Sequence, residues 1–180
     1  MLKCVECGHL VKEKEEFCDG CGASMEVYNR WFKGAEENDA FSQASLGVIY
    51  RNEKLSVVDL EKSFYWTKKG AEGGDSNAQG ALGGMYLNGQ GTEVDFEKSY
   101  YWTRKSAEQG NTTAKWNLAC DFLQGTGVEK DVFKAIYWLI EARKDGYEDA
   151  ANLLEKMNIA DAHFFSEDIL ASIKYINKEE

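Results

Sequence analysis

Residues 71–106 read AEGGDSNAQGALGGMYLNGQGTEVDFEKSYYWTRKS, and their marks return at a step of 36 residues on either side. Ala35-Glu36, Ala71-Glu72 and Ala107-Glu108 keep that step, as do Leu46, Leu82, Leu118 and Leu154. Tyr50 and Tyr86 keep it, with the acids Asp59, Asp95 and Asp131 and the tryptophans Trp66, Trp102 and Trp138, each preceded by tyrosine. Self-similarity at a period of this length signals an array of stacked supersecondary units.

Within one unit the apolar spacing is helical. Ala78, Leu82 and Tyr86 stand at i, i+4 and i+8 on one face of a first helix. Asp75 is placed to cap it, as are Asp39 and Asn111 in the neighbouring units. The turn Asn88-Gly89-Gln90-Gly91 breaks the chain, and Asp95 opens a second helix bearing Phe96, Tyr101 and Trp102 that ends at Gly110. Small residues at Ala78, Gly83 and Ala107 let the helices approach closely. A 36-residue helix pair cannot bury its own apolar face, so the units must stack. The pattern therefore predicts a mainly α protein, an α-solenoid of helix-turn-helix repeats over 28–180. The repeats fall at about 35–70, 71–106 and 107–142, with a partial fourth at 143–158. Residues 28–34 read as a lone second helix, because Lys33-Gly34-Ala35-Glu36 echoes Lys69-Gly70-Ala71-Glu72. Ser166 opens a capping helix at about 166–178 carrying Ile169, Leu170, Ile173 and Ile176. Repeat one departs from the pattern, with Glu53-Lys54-Leu55 where repeat two has Gly89-Gln90-Gly91, and Leu55 is the candidate docking contact if the head caps the repeats.

The leading Ala-Glu, the Leu-Gly-x-x-Tyr run, the Gly-x-Gly turn, the Asp cap and the Tyr-Trp pair together resemble the Sel-one-like repeat (SLR), a relative of the tetratricopeptide repeat. The resemblance implies a right-handed superhelix that serves as a scaffold for protein complexes. By likeness to tetratricopeptide solenoids, the first helices would line a binding wall. The residues that would face a partner are then Phe41, Val48, Arg51 and Asn52 in repeat one, Asn77, Gly80, Gly84, Leu87 and Asn88 in repeat two, and Trp116, Asn117, Cys120, Leu123 and Gln124 in repeat three. Trp116 has a plainer alternative as ordinary core, since aromatic residues at helical spacing are usually packed.

Four of the five cysteines lie in the first 21 residues, as Cys4-Val5-Glu6-Cys7-Gly8 and Cys18-Asp19-Gly20-Cys21-Gly22. Two residues between thiols let one tight turn aim both sulfurs at a single point, and the following glycine permits the turn to close. Four thiolates complete the tetrahedron of a structural Zn²⁺ and leave no position for a reacting water. Residues 1–27 thus read as a zinc-holding head with a β-hairpin, with Cys4, Cys7, Cys18 and Cys21 as ligands of one structural zinc. The segment resembles the short bacterial zinc ribbon, on Cys4, Cys7, Gly8, Phe17, Cys18, Cys21 and Gly22. His9 follows a complete ligand pair and reads as a surface residue. So short a head cannot bury a sizeable core and depends on its metal. The repeats are expected to fold without it.

The formal net charge is −10, and no segment gathers lysine and arginine into the basic stripe that a phosphate backbone requires. Direct nucleic-acid binding is not expected. No apolar run reaches the length of a membrane span, and no signal-peptide pattern opens the chain, so a cytoplasmic protein is expected. Only two histidines exist, His9 and His163, and neither neighbours a nucleophile in a catalytic setting. The turns at Gly89/Gly91 and Gly125/Gly127 lack the strand and lysine of a phosphate cradle. Some secreted relatives linked to β-lactam hydrolysis carry a cysteine pair in every repeat, whereas here the repeats hold only Cys120, read as a packed or groove-lining thiol and not a reactive one. The function expected is a non-enzymatic adaptor whose groove binds a protein or peptide. The alternative is a zinc-ribbon regulator associated with a nucleic-acid-processing complex.

Overall fold

The computed structural model describes residues 1–4, 8–22, 24–55 and 58–157. Among them a short antiparallel hairpin, β1 (Leu2–Lys3) and β2 (Leu10–Val11), precedes eight helices. These are α1 (Glu26–Glu36), α2 (Ala40–Arg51), α3 (Leu60–Glu72), α4 (Ser76–Asn88), α5 (Phe96–Glu108), α6 (Thr112–Gln124), α7 (Val132–Lys144) and α8 (Glu148–Lys156). None of the described helices is long and apolar enough to cross a membrane. The chain forms two compact units, Met1–Asp95 with the hairpin and α1–α4, and Phe96–Glu180 with α5–α8. The capping helix expected at 166–178 and His163 lie outside the described residues.

The helix starts follow the expected caps. The side chains of Asp39, Asp75 and Asn111 accept hydrogen bonds from the backbone N–H groups of Ser42, Ala78 and Ala114. Asp59 and Asp131 do the same for Lys62 and Lys134 at the second helices. Each satisfies an otherwise unpaired donor in a first turn.

In the first unit α2 packs on α3, α3 on α4, and α4 reaches back to α2. Leu46 and Leu82 are fully buried. A Cβ at Gly47 would strike Thr67, and one at Gly70 would stand 2.8 Å from the Ala44 nitrogen, so these glycines set how closely α2 and α3 approach. The Ser63 hydroxyl donates to the Gly47 carbonyl across that seam at 2.8 Å. The leading alanines are buried, and their carbonyls are used: Gln43 donates to Ala35 and Gln79 to Ala71, each at 3.2 Å. Phe64 meets Tyr86 edge-on at 5.4 Å. The second unit repeats this contact one period later, with Tyr100 against Phe122 at 5.8 Å. Its core is Leu118, Ala119 and Phe122 of α6, five consecutive buried residues from Ile136 to Ile140 of α7, and Ala150 and Leu154 of α8.

The loops between paired helices close alike, with the N–H groups of Asp59, Asp95 and Asp131 donating to the carbonyls of Tyr50, Tyr86 and Phe122. Their starts differ. α4 and α6 end on left-handed Gly89 and Gly125. α2 ends on Asn52, whose side chain accepts the Lys54 N–H at 2.9 Å and makes the turn that the missing glycines would have made.

Two features of the glycines set expectations for stability. Gly91 and Gly127 have φ of +72° and +69°, and a Cβ at either would overlap a backbone carbonyl oxygen, that of Leu60 or of Phe96. Gly84 lies within α4 with open space where a Cβ would stand. Gly91→Ala should therefore destabilise the fold by about 2 kcal/mol or more, while Gly84→Ala should stabilise it by roughly 0.5–1 kcal/mol. Thermal melts of the two variants, moving in opposite directions, are the check.

Asp121 is buried at the core position that Ile49 and Met85 hold in the other repeats, and its Oδ2 has no hydrogen-bond partner among the described residues. Burial pushes its carboxyl up to about 7. A raised carboxyl pKa means that the native state holds its proton where the unfolded chain has lost it, so stability falls as pH rises from about 4 to 7 and stays low above. Asp121→Asn should remove that slope and raise stability at pH 8, by an amount on the order of 4 kcal/mol at most. Denaturant titrations at pH 5 and pH 8 measure it.

Candidate functional site

The head is built from two matching turns. In the first, the Gly8 N–H donates to the Cys4 carbonyl at 2.8 Å, and in the second the Gly22 N–H donates to the Cys18 carbonyl at 2.7 Å. Both glycines are left-handed, with φ of +74° and +76°, as a turn closing over two cysteines requires. The hairpin register Leu2↔Val11 and Lys3↔Leu10 carries Cys4 out of β1, and a bridge between Phe17 and Ser24 brackets the second turn. The thiols of Cys4, Cys18 and Cys21 converge, with all three sulfurs within 4.8 Å of one another and Cys4 Sγ 3.6 Å from Cys21 Sγ. Four thiolates at about 2.3 Å from one ion would stand about 3.8 Å apart, so the spacing fits a shared metal. Cys4 and Cys18 are buried and Cys21 is exposed. Cys7 lies outside the described residues. His9 is exposed, its Nε2 3.1 Å from Asp19 Oδ1, and its ring fills the space that a side chain at position 20 would need.

The second candidate surface lies between α2 and α4. Phe41, Ala44, Ser45, Val48 and Arg51 of α2 face Asn77, Ala78 and Ala81 of α4 across a groove of about 280 Å³, with Thr67 and Asp75 at its margin. The α2 residues stand at i, i+3, i+4, i+7 and i+10, one stripe of a helix. That stripe lies opposite the buried set of Leu46, Ile49 and Tyr50, so α2 is apolar on both sides. Phe41 is 63% exposed and Val48 50%. For so large a pair of side chains on a helix otherwise well packed, that exposure is the feature to explain.

Of the sequence-derived wall residues, Phe41, Val48, Arg51 and Asn77 line this groove. Asn52 lies beyond the end of α2 with its side chain engaged in the Lys54 turn. Leu87 and Asn88 are exposed near the end of α4, and the Asn88 amide donates to the Gly84 carbonyl at 2.9 Å. In the second unit Trp116 stacks on Tyr147 at 5.5 Å and packs with Leu123 against the core, while Asn117 and Gln124 are exposed. The Cys120 thiol is half-buried, and burial foremost, with the Asp121 carboxylate behind it, raises its pKa above the ordinary thiol value. Such a thiol is poorly disposed to react. Ala44 and Ser45 were missed, and their spacing from Phe41 and Val48 along one stripe of α2 was the available signal. Asp121 was missed because an acid at an otherwise apolar helix position carries no mark of its burial.

The chain matches the family model described as Sel1 repeat at residues 40–75, 76–111 and 112–147. This frame opens on the first helix of each pair, five residues later than the frame set by Ala-Glu. No curated protein matches. Among solved structures, the chain is similar to a protective antigen of uropathogenic Escherichia coli strains displaying an SLR fold, at 30% identity and a TM-score of 0.71. That likeness covers 77% of this chain but only 30% of the antigen. A Sel1 repeat protein from Oxalobacter formigenes is similar at 29% identity and a TM-score of 0.67, over 73% of this chain and 99% of that one. Cysteine-rich protein B of Helicobacter pylori is similar at 25% identity and a TM-score of 0.56, over 72% and 92%.

Proposed function

The chain belongs to the Sel1 repeat family, and from that we propose that it is a non-enzymatic adaptor, gripping a protein or peptide partner by its repeats and carrying a structural zinc in its head. Proteins of this repeat family are generally protein-interaction scaffolds. The observation that carries the reading for this chain is the second apolar stripe of α2, with Phe41 and Val48 exposed along a groove on α4. A recognition surface concentrates its affinity in such apolar anchors and fixes orientation with a few polar groups. Here Ser45, Asn77 and the Arg51 guanidinium would supply these.

In the head, Cys4, Cys18 and Cys21, with Cys7, would hold the ion. The sulfur spacing fits it, and the metal would supply cross-linking rather than chemistry. We read residues 1–27 as this zinc ribbon and 28–180 as the repeat body. Thiolate ligation suits a reducing compartment, and we place the protein in the cytoplasm.

Protein purified without chelator should contain one zinc per chain by elemental analysis, and Cys21→Ser should lower that content. The partner should be sought by affinity capture from the native cytosol with mass spectrometry. Val48→Asp should then weaken its binding by about thirtyfold, the loss of one anchor of about 2 kcal/mol. Trp116→Ala should chiefly lower thermal stability. If a folded Val48→Asp chain binds undiminished while Gly84→Leu does not, the binding wall lies further along α4.

A further inference from the structure

The hydrophobic cluster beneath the cysteines runs without a break from the head into the first repeat. Leu2, Cys4 and Cys18 share it with Leu46, Ile49 and Tyr50 of α2, and Trp31, Leu55 and Trp66 pack against it. Polar contacts sew the same seam. The Lys3 N–H donates to the Leu55 carbonyl at 2.8 Å, and the Lys3 ammonium to the Glu53 carbonyl at 2.7 Å. The Tyr28 hydroxyl donates to the Lys3 carbonyl at 3.3 Å, and the Lys62 ammonium to Glu13 Oε1 at 2.7 Å. The head therefore docks on the loop after α2, whose described residues lack the glycine turn found after α4 and α6, and covers the inner face of the helix whose outer face lines the groove.

We propose that the metal head is a switch for the groove: with the ion held by Cys4, Cys18 and Cys21, α2 is clamped in place, and without it α2 loosens and the wall formed by Phe41, Val48 and Arg51 is weakened. The inference rests on the zinc reading above and goes beyond it by tying metal occupancy to the partner surface. The physical argument has three steps. A head of this size buries too little apolar area to stay folded without its cross-link. Two of the converging thiols are themselves core residues, Cys4 at 2% and Cys18 at 1% exposure, so releasing them opens the cluster from within. What remains is a 12-residue helix containing Gly47, two serines, Val48 and Ile49, too short to keep its full order by itself, so it frays against α3 once the head uncovers its side of Leu46, Ile49 and Tyr50.

The test is hydrogen exchange, read by mass spectrometry, on the full chain loaded with zinc and after removal with phenanthroline, with metal content measured on the same samples. Amides of α1 and α2 should exchange at least tenfold faster without zinc and regain protection when zinc is restored, while amides of α6 and α7 change less than twofold. Cys18→Ser should reproduce the loss without chelator. Unchanged exchange in α2 after a bound zinc has been removed would overturn the proposal and leave the metal centre standing. A chain that never held zinc would overturn both. Equal acceleration in α2 and α6 would overturn it as well, since that is global unfolding rather than local release.

Discussion

Leu46, Leu82 and Leu118 are completely removed from solvent, each on a first helix, each followed by a small buried residue, Gly47, Gly83 or Ala119. In the first repeat, where the seam is seen most directly, the glycine lets the backbone of α2 come close enough to α3 for Thr67 to occupy the space a side chain would have taken. The leucine is dry because of that approach. Most other regularities serve it: the capping acids start the helices in register, the loop bonds from Asp59, Asp95 and Asp131 return the chain at one fixed distance, and the edge-on contacts Phe64–Tyr86 and Tyr100–Phe122 join the second helix of one pair to the first helix of the next. A helix pair of 36 residues cannot make this core alone.

Much of this was legible in the residues because it is periodic. A recurring leucine names a face, a recurring acid names a helix start, and a lone echo such as Lys33-Gly34-Ala35-Glu36 names a helix without its partner, as α1 is. The convergence of Cys4, Cys18 and Cys21 was legible for a different reason, since Cys-x-x-Cys-Gly is a local geometry in which spacing alone aims the sulfurs. What the periodicity could not give is which face meets which neighbour. Asn52 and Asn88 read as amides on offer to a partner, and each is engaged with its own chain at a helix end. Asp121 occupies a core position that an apolar residue fills in the other repeats, and pattern reading assigns faces to types of residue rather than to single exceptions. The seat of the head on the first repeat was legible at Leu55, through the missing loop glycines, but the shared core was not, because Leu2, Cys4 and Leu46 belong to no common period.

The departure in repeat one shows how a broken rule carries information. Where repeats two and three spend two glycines on the loop, repeat one has Glu53-Lys54-Leu55, a sequence that makes its turn through the Asn52 side chain instead. A left-handed glycine turn would serve as well for the helices themselves. The altered loop presents two backbone carbonyls, those of Glu53 and Leu55, to Lys3 of the hairpin. The exception is thus the docking site of the segment that ends the array, and it is explained by what lies against it rather than by the repeat it belongs to.

α2 is consequently loaded on two sides, by the cysteine head within and by the groove without. If metal release loosens α2, thermodynamic linkage makes the relation reciprocal: a partner that binds only the clamped helix must tighten the metal by the same factor by which the metal tightens the partner. The size of that coupling is bounded by the cost of ordering α2. Backbone ordering alone costs on the order of 1 kcal/mol per residue, so a 12-residue helix released outright would exceed the free energy of any ordinary peptide contact, and the metal-free groove would not bind measurably. A helix that only frays would give a graded effect within the 1–3 kcal/mol common for coupled sites. Which regime holds is decided by how much of Leu46, Ile49 and Tyr50 stays covered by α3 when the head leaves, and the close fit of Gly47 against Thr67 favours retention of that half of the cluster. The expected behaviour is therefore graded: the ion tunes the affinity of the groove through the inner face of α2, with α3 holding the helix to the repeat while the head comes and goes.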